Sequence, residues 1–117
     1  MKREFVMTEW FDSSWKGMRL SDGELRELQT ELLRDPASGR VMQGCGGFRK
    51  IRMAPSGQGK SGGVRVIYLD IPEHEVVYLM LAYPKSEKDS LTEAEKREMK
   101  EIAKNIKQNL KQNHTRR

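Results

Sequence analysis

The sequence contains one cysteine, two histidines and no long apolar run. The single thiol, Cys45, excludes an internal disulfide and any cysteine-based zinc site. It reads as a small turn residue within Gly44-Cys45-Gly46-Gly47, in a reducing compartment. His74 falls in a turn signal and His114 in the C-terminal tail, so with one cysteine they supply no metal site and are expected as exposed bystanders. MKREFVMTEWF lacks the apolar stretch of a signal peptide and no later segment approaches a spanning helix. A cytoplasmic protein without a membrane partner, a metal or a cofactor is the expectation. No nucleophile elbow is present. SGQGKSGG contains Gly-Lys-Ser, but Gly57 lies only two residues before Gly59 and the loop joins two strands, so a phosphate-binding P-loop is excluded.

Negative charge is missing where it would be most expected. The chain has 17 acidic residues, yet none lies between Pro36 and Leu69, where Arg40, Arg49, Lys50, Arg52, Lys60 and Arg65 all fall. Elsewhere the two signs are mixed, as on an ordinary solvated surface. The net charge of +5 and pI near 9.5 agree with a polyanionic or acidic partner.

At 117 residues the chain is expected to be one domain, 1–117. Glu4 to Trp10 reads as a short strand and Phe11 to Arg19 as a short helix. Ser21 and Glu24 form a capping-box signal for a second helix, whose Leu25, Leu28, Leu32 and Leu33 share a stripe until Asp35-Pro36 stops it. Phe48 to Ala54 reads as a strand with Phe48, Lys50 and Arg52 on one face and Arg49, Ile51 and Met53 on the other. Pro55 to Gly63 is a glycine-rich loop carrying Lys60. Val64 to Ile71 and Val76 to Tyr83 read as strands joined by a tight turn at Pro72–Glu75, the second with the apolar run of an interior strand. A last helix starts at Thr92, capped with Glu95, and buries Met99, Ile102, Ala103, Ile106 and Leu110; its Lys/Glu faces read as solvated. Three consecutive antiparallel strands, with helices grouped on one side, give an α+β domain.

On this pattern Lys50, Arg52, Arg65 and Lys85 converge from three neighbouring strands. Such a group suits a phosphate, because arginine holds it through paired hydrogen bonds and clustered positive charge lowers a lysine pKa towards usefulness as an acid or base. Trp10 and Trp15 are expected to anchor the first helix, and Tyr68 and Tyr78 to serve the core.

GGFRKIRMA, GQGKSGGVRVIYLDI and VYLMLAYPKSEKDSLTEAE resemble the RelE superfamily of bacterial toxins, in particular its HigB-type branch. The similarity runs from Phe11 through Ile106. It implies a microbial-ribonuclease-like α+β fold, an N-terminal helical pair and a C-terminal helix. It also implies a metal-independent endoribonuclease that cuts mRNA in the ribosomal A site by 2′-hydroxyl attack, held inactive by a cognate antitoxin, a DNA-binding HigA-like repressor. Carried over by motif, Arg65 stabilises the phosphate in flight, Lys50 and Arg52 bind phosphate, and the Tyr-x-Lys signature supplies Tyr83 and Lys85. Arg49 and Lys60 are further RNA-binding candidates. The general base and acid stay open between Lys50 and Lys85, because Ser86 stands where the RelE branch proper has a second arginine and no tyrosine lies beyond Tyr83. Two alternatives of other kinds are a ParE-like inhibitor of DNA gyrase and a non-catalytic RNA-binding module.

Overall fold

The computed structural model describes residues 2–54, 63–87 and 90–115. Strand β1 (Glu4–Met7) leads into helices α1 (Glu9–Gly17) and α2 (Asp22–Arg34), followed by β2 (Arg40–Val41), β3 (Arg49–Met53), β4 (Val64–Ile71), β5 (Val76–Pro84) and α3 (Glu93–Thr115). The five strands form one sheet in the order β1-β5-β4-β3-β2. The β3–β4–β5 meander is antiparallel, as its short connections dictate, whereas β1 joins β5 in parallel.

The capping signals act as their side chains allow. Ser21 Oγ accepts from Glu24 N while Glu24 Oε1 accepts from Ser21 N, and Thr92 and Glu95 repeat the exchange at the start of α3. Helix α1 begins two residues earlier than expected because Thr8 caps it, accepting from Phe11 N at 3.0 Å. The stripe of α2 buries Leu28 and Leu32 completely.

Helices cover both faces of the sheet, not one. Phe11, Trp15, Leu28 and Leu32 of α1 and α2 pack on Ile51, Met53, Val64, Val66 and Tyr68. Helix α3 brings Ala103, Met99, Ile102 and Ile106 onto Phe48, Ile67, Leu69 and Ile71. Alternate residues of β4 therefore feed two separate cores, and nearly every position of that strand is buried. Period-two alternation shows that a strand has two faces, but the continuous apolar run of β4 is what requires both to be covered.

A bulge sets which side chains of β5 meet β4. Ile67 pairs with Leu81 but Tyr68 pairs with Leu79, leaving Met80 extra. Past this point the alternation of β5 is reversed, and Leu81 and Tyr83 turn to the α3 side. Where β5 leaves β1, helix α1 takes over its free groups: Thr8 Oγ1 donates to Met80 O at 2.6 Å and Ala82 N donates to Ser14 Oγ at 3.4 Å. Among the described residues no helix is long and apolar enough to cross a membrane.

Candidate functional site

Helix α3 covers only part of its sheet face. Beyond its cover a row runs across three strands: Arg52 of β3 stands opposite Arg65 of β4, and Arg65 opposite Tyr83 of β5. The next row aligns Arg40 of β2 and Lys50 of β3 with Ile67 and Leu81. Arg52 and Arg40 are exposed, while Lys50, Arg65 and Tyr83 are half-buried. Like charges directly opposite on neighbouring strands repel, a cost that an anion lying over the pair would relieve.

Lys85 also reaches the row. Its backbone N–H donates to Gly63 O at 2.8 Å, extending the β4–β5 pairing by one bond. A methyl group on Gly63 would sit 3.9 Å from Arg65 Nη1 and 3.8 Å from Lys85 Cδ, so both cationic side chains pass close to this glycine. The sequence-based convergence of Lys50, Arg52, Arg65 and Lys85 is therefore present, with Tyr83 beside them. The bulge at Met80 is what delivers Tyr83: with unbroken alternation its ring would enter the opposite core.

Around the outer edge of β3 lies a 510 Å³ cleft lined by Arg40, Lys50, Arg52 and Arg65, with Ile51, Ser38 and the carboxylate-bearing Glu31 of α2. Its position follows from the brevity of β2, which pairs only with Lys50 and Arg49 and leaves the rest of β3 uncovered by a strand. Arg40 is a member that sequence reasoning counted as charge without placing. Only its register with Lys50 reveals it.

Arg49 is not brought into this group. It lies on the α1/α2 side, opposite Tyr68, and its Nη1 donates to Gly39 O at 2.8 Å and Ala37 O at 3.3 Å. There it holds the turn that leads into Arg40, together with Tyr68, whose hydroxyl accepts from Gly39 N and donates to Pro36 O. Burial pushes the Tyr68 phenol above its usual value, opposed by the Gly39 hydrogen bond and the charge of Arg49. Lys60 lies outside the described residues. His74 is half-buried in a 3-10 turn (Pro72–His74), not exposed as expected.

Cys45 is fully buried against α3 and serves packing. Burial pushes its thiol up, with Lys96 and Lys50 pulling it down and Glu93 adding to the rise. Trp15 stacks on Phe11 and donates to Ser21 O, whereas Trp10 stands exposed. Among the described residues no group of three or more His, Cys, Asp and Glu is arranged to hold a metal ion.

The fold and the sequence both have recognisable relatives. The isolated E. coli RelE toxin, in its P21 crystal form, is 20% identical over 87% of this chain and 99% of its own, with a TM-score of 0.51. A mutant of E. coli RelE in the free state is 23% identical over 70% of this chain and 82% of its own, with a TM-score of 0.48. At such identities the first likeness speaks for a common fold. A model of the family described as the RelE toxin of the RelE/RelB toxin–antitoxin system matches residues 3–116, nearly the whole length, and the chain therefore belongs to the RelE toxin family.

Proposed function

We propose that this RelE-family toxin is a HigB-like, ribosome-dependent endoribonuclease that cuts mRNA in the A site without a metal and is silenced by a HigA-like antitoxin. The observation that carries this reading is the Arg52–Arg65–Tyr83 row, with Lys50 in the adjoining row on one side and Lys85 just past Tyr83 on the other. RNA cleavage by internal transfer needs three things. A base takes the proton of the 2′-hydroxyl as that oxygen bonds to the adjacent phosphorus. Cations meet the charge that grows on the non-bridging oxygens. An acid protonates the 5′-oxygen as its bond to phosphorus breaks. Arg65 and Arg52, on facing strands, suit the charge-stabilising part through paired hydrogen bonds. Lys50 and Lys85 flank them and are the candidates for proton transfer, and Tyr83 donates a hydrogen bond or stacks on a base. Arg40 extends the phosphate contacts along the substrate backbone. A gyrase inhibitor has no use for such a row.

The products test the chemistry. Internal transfer leaves a 2′,3′-cyclic phosphate and a 5′-hydroxyl. Cleavage should persist in excess chelator once ribosome integrity is maintained with polyamines, and a single 2′-deoxy nucleotide at the cut position should abolish it. Cutting of the 2′-deoxy substrate, or products with a 5′-phosphate, would rule out this mechanism.

A further inference from the structure

Helix α3 carries a second cationic surface outside the cleavage row. Its Lys/Glu composition reads as a mixed, solvated face, yet residue by residue the charges separate. Lys96, Lys100, Lys104, Lys107 and Lys111 recur at spacings of four, four, three and four, which at 3.6 residues per turn places them within about a quarter of the helix circumference. Lysines four apart repel and weaken a helix, so this is not the arrangement that stability alone selects. Glu93 pairs with Lys96 at 3.6 Å, but the described residues place none of Arg97, Lys100, Lys104 and Lys107 in an ion pair. No acidic residue follows Glu101 on the helix.

The stripe borders a groove of 680 Å³ in which Arg97, Lys100, Lys104 and Lys107 meet Gly46, with Glu101 the sole acid. Gly46 of the Gly44–Gly47 turn forms the other wall and is fixed in place. A Cβ on Gly46 would lie 3.0 Å from both Lys100 Cα and Ala103 Cβ, and the position has φ +77°. Lys107 Nζ lies 3.7 Å from where a Cβ on Gly47 would be. Three residues beyond Gly47 the chain reaches Lys50 in the cleavage cleft, and buried Cys45 feels the charges of both Lys96 and Lys50. The two cationic surfaces thus adjoin across a single turn.

We propose that the lysine stripe of α3 and the Gly44–Gly47 turn form a second RNA-backbone site, which holds the toxin on its ribosomal target while the cleft acts. This rests on the RNA-directed reading above. The stripe extends for about 22 Å at 1.5 Å per residue, enough to follow several phosphates. A protein partner normally needs an apolar centre to its interface. The large exposed apolar side chains among the described residues, Trp10, Val41 and Leu81, all lie off α3, whose apolar stripe is turned inward. A phosphodiester backbone needs only charge.

The test is binding of the full chain to programmed ribosomes and to a naked RNA oligomer across a salt series, in an Arg65→Ala background so that cleavage is not required. Lys100→Gln/Lys104→Gln/Lys107→Gln together should weaken ribosome binding at least ten-fold and flatten the slope of log K against log[salt] by about two units. Lys→Arg at the same three positions should restore both, and Glu98→Gln, on another face, should change neither. The melting temperature of the Gln variant should hold or rise, since like charges are removed. Weakening on both targets would identify the ligand as single-stranded RNA, and weakening on ribosomes alone as structured ribosomal RNA. Unchanged affinity and slope would overturn the proposal. Loss of antitoxin neutralisation alone would overturn it too and assign the stripe to an acidic protein segment. Absence of cleavage by the wild-type protein would remove the nuclease reading and leave this binding result to be judged separately.

Discussion

Arg52 and Arg65 occupy directly opposing positions on β3 and β4, two guanidinium groups in the register where a sheet normally places complementary or apolar pairs. The arrangement separates stability from function. Arg65→Ala should reduce cleavage by about 10²–10³-fold, the range for loss of one transition-state charge donor, while the protein remains folded at the assay temperature. Arg52→Glu should raise stability by about 0.2–1 kcal/mol through a cross-strand ion pair while abolishing cleavage. Melting curves beside cleavage rates check both, and loss of stability in step with activity would mean the pair is structural.

Arg49 and Arg52 are near neighbours with opposite predicted effects. Because Arg49 donates to the carbonyls of Gly39 and Ala37, Arg49→Ala should destabilise the protein by about 1–3 kcal/mol and retain RNA affinity at temperatures where it is folded. Arg52→Ala should retain stability and lose affinity. Urea denaturation combined with RNA binding would reveal a reversed pattern at once.

Tyr68 links pH to the turn that presents Arg40. Its folded pKa is raised by burial, so the neutral phenol is favoured in the native state. Stability should therefore be insensitive to this group below the unfolded tyrosine value of about 10 and fall as pH rises through the folded value. Tyr68→Phe should cost about 1–3 kcal/mol at neutral pH, since Gly39 N and Pro36 O lose their partner. It should also show a shallower alkaline decline. Some decline should remain, because burial also raises Tyr78.

Two glycines of one turn differ in what they permit. Gly46 and Gly44 both have positive φ, but a Cβ on Gly46 meets the backbone of α3 at 3.0 Å, whereas one on Gly44 would meet only the Lys96 Cδ at 3.8 Å. Gly46→Ala should cost about 2–4 kcal/mol, from backbone strain and overpacking together. Gly44→Ala should cost about 1–2 kcal/mol. Equal losses in urea melts would contradict this account of how the turn docks on α3.

Much of this molecule is legible in its residues. The capping pairs Ser21/Glu24 and Thr92/Glu95 fix helix starts through local chemistry, and the strands of the meander follow from their alternation and from short connections. The faces of β3, with Lys50 and Arg52 apart from Ile51 and Met53, are read directly from period two. The features that escape are non-local. Parallel pairing of β1 with β5 depends on where a distant strand leaves an edge open. The bulge at Met80 has no glycine to mark it, yet it decides that Tyr83 faces Arg65. Arg40 joins the site only through its register with Lys50. Arg49 is indistinguishable in sequence from its basic neighbours until its carbonyl partners are seen.

The central claim is that the Arg52–Arg65 row cleaves mRNA on the ribosome. Toeprinting of a defined mRNA on purified, programmed ribosomes tests it most directly, with wild-type protein, Arg65→Ala and a naked-RNA control. The account predicts a cut within the A-site codon that is absent without ribosomes and lost in Arg65→Ala. No cut by folded wild-type protein, or an undiminished cut by Arg65→Ala, would contradict it.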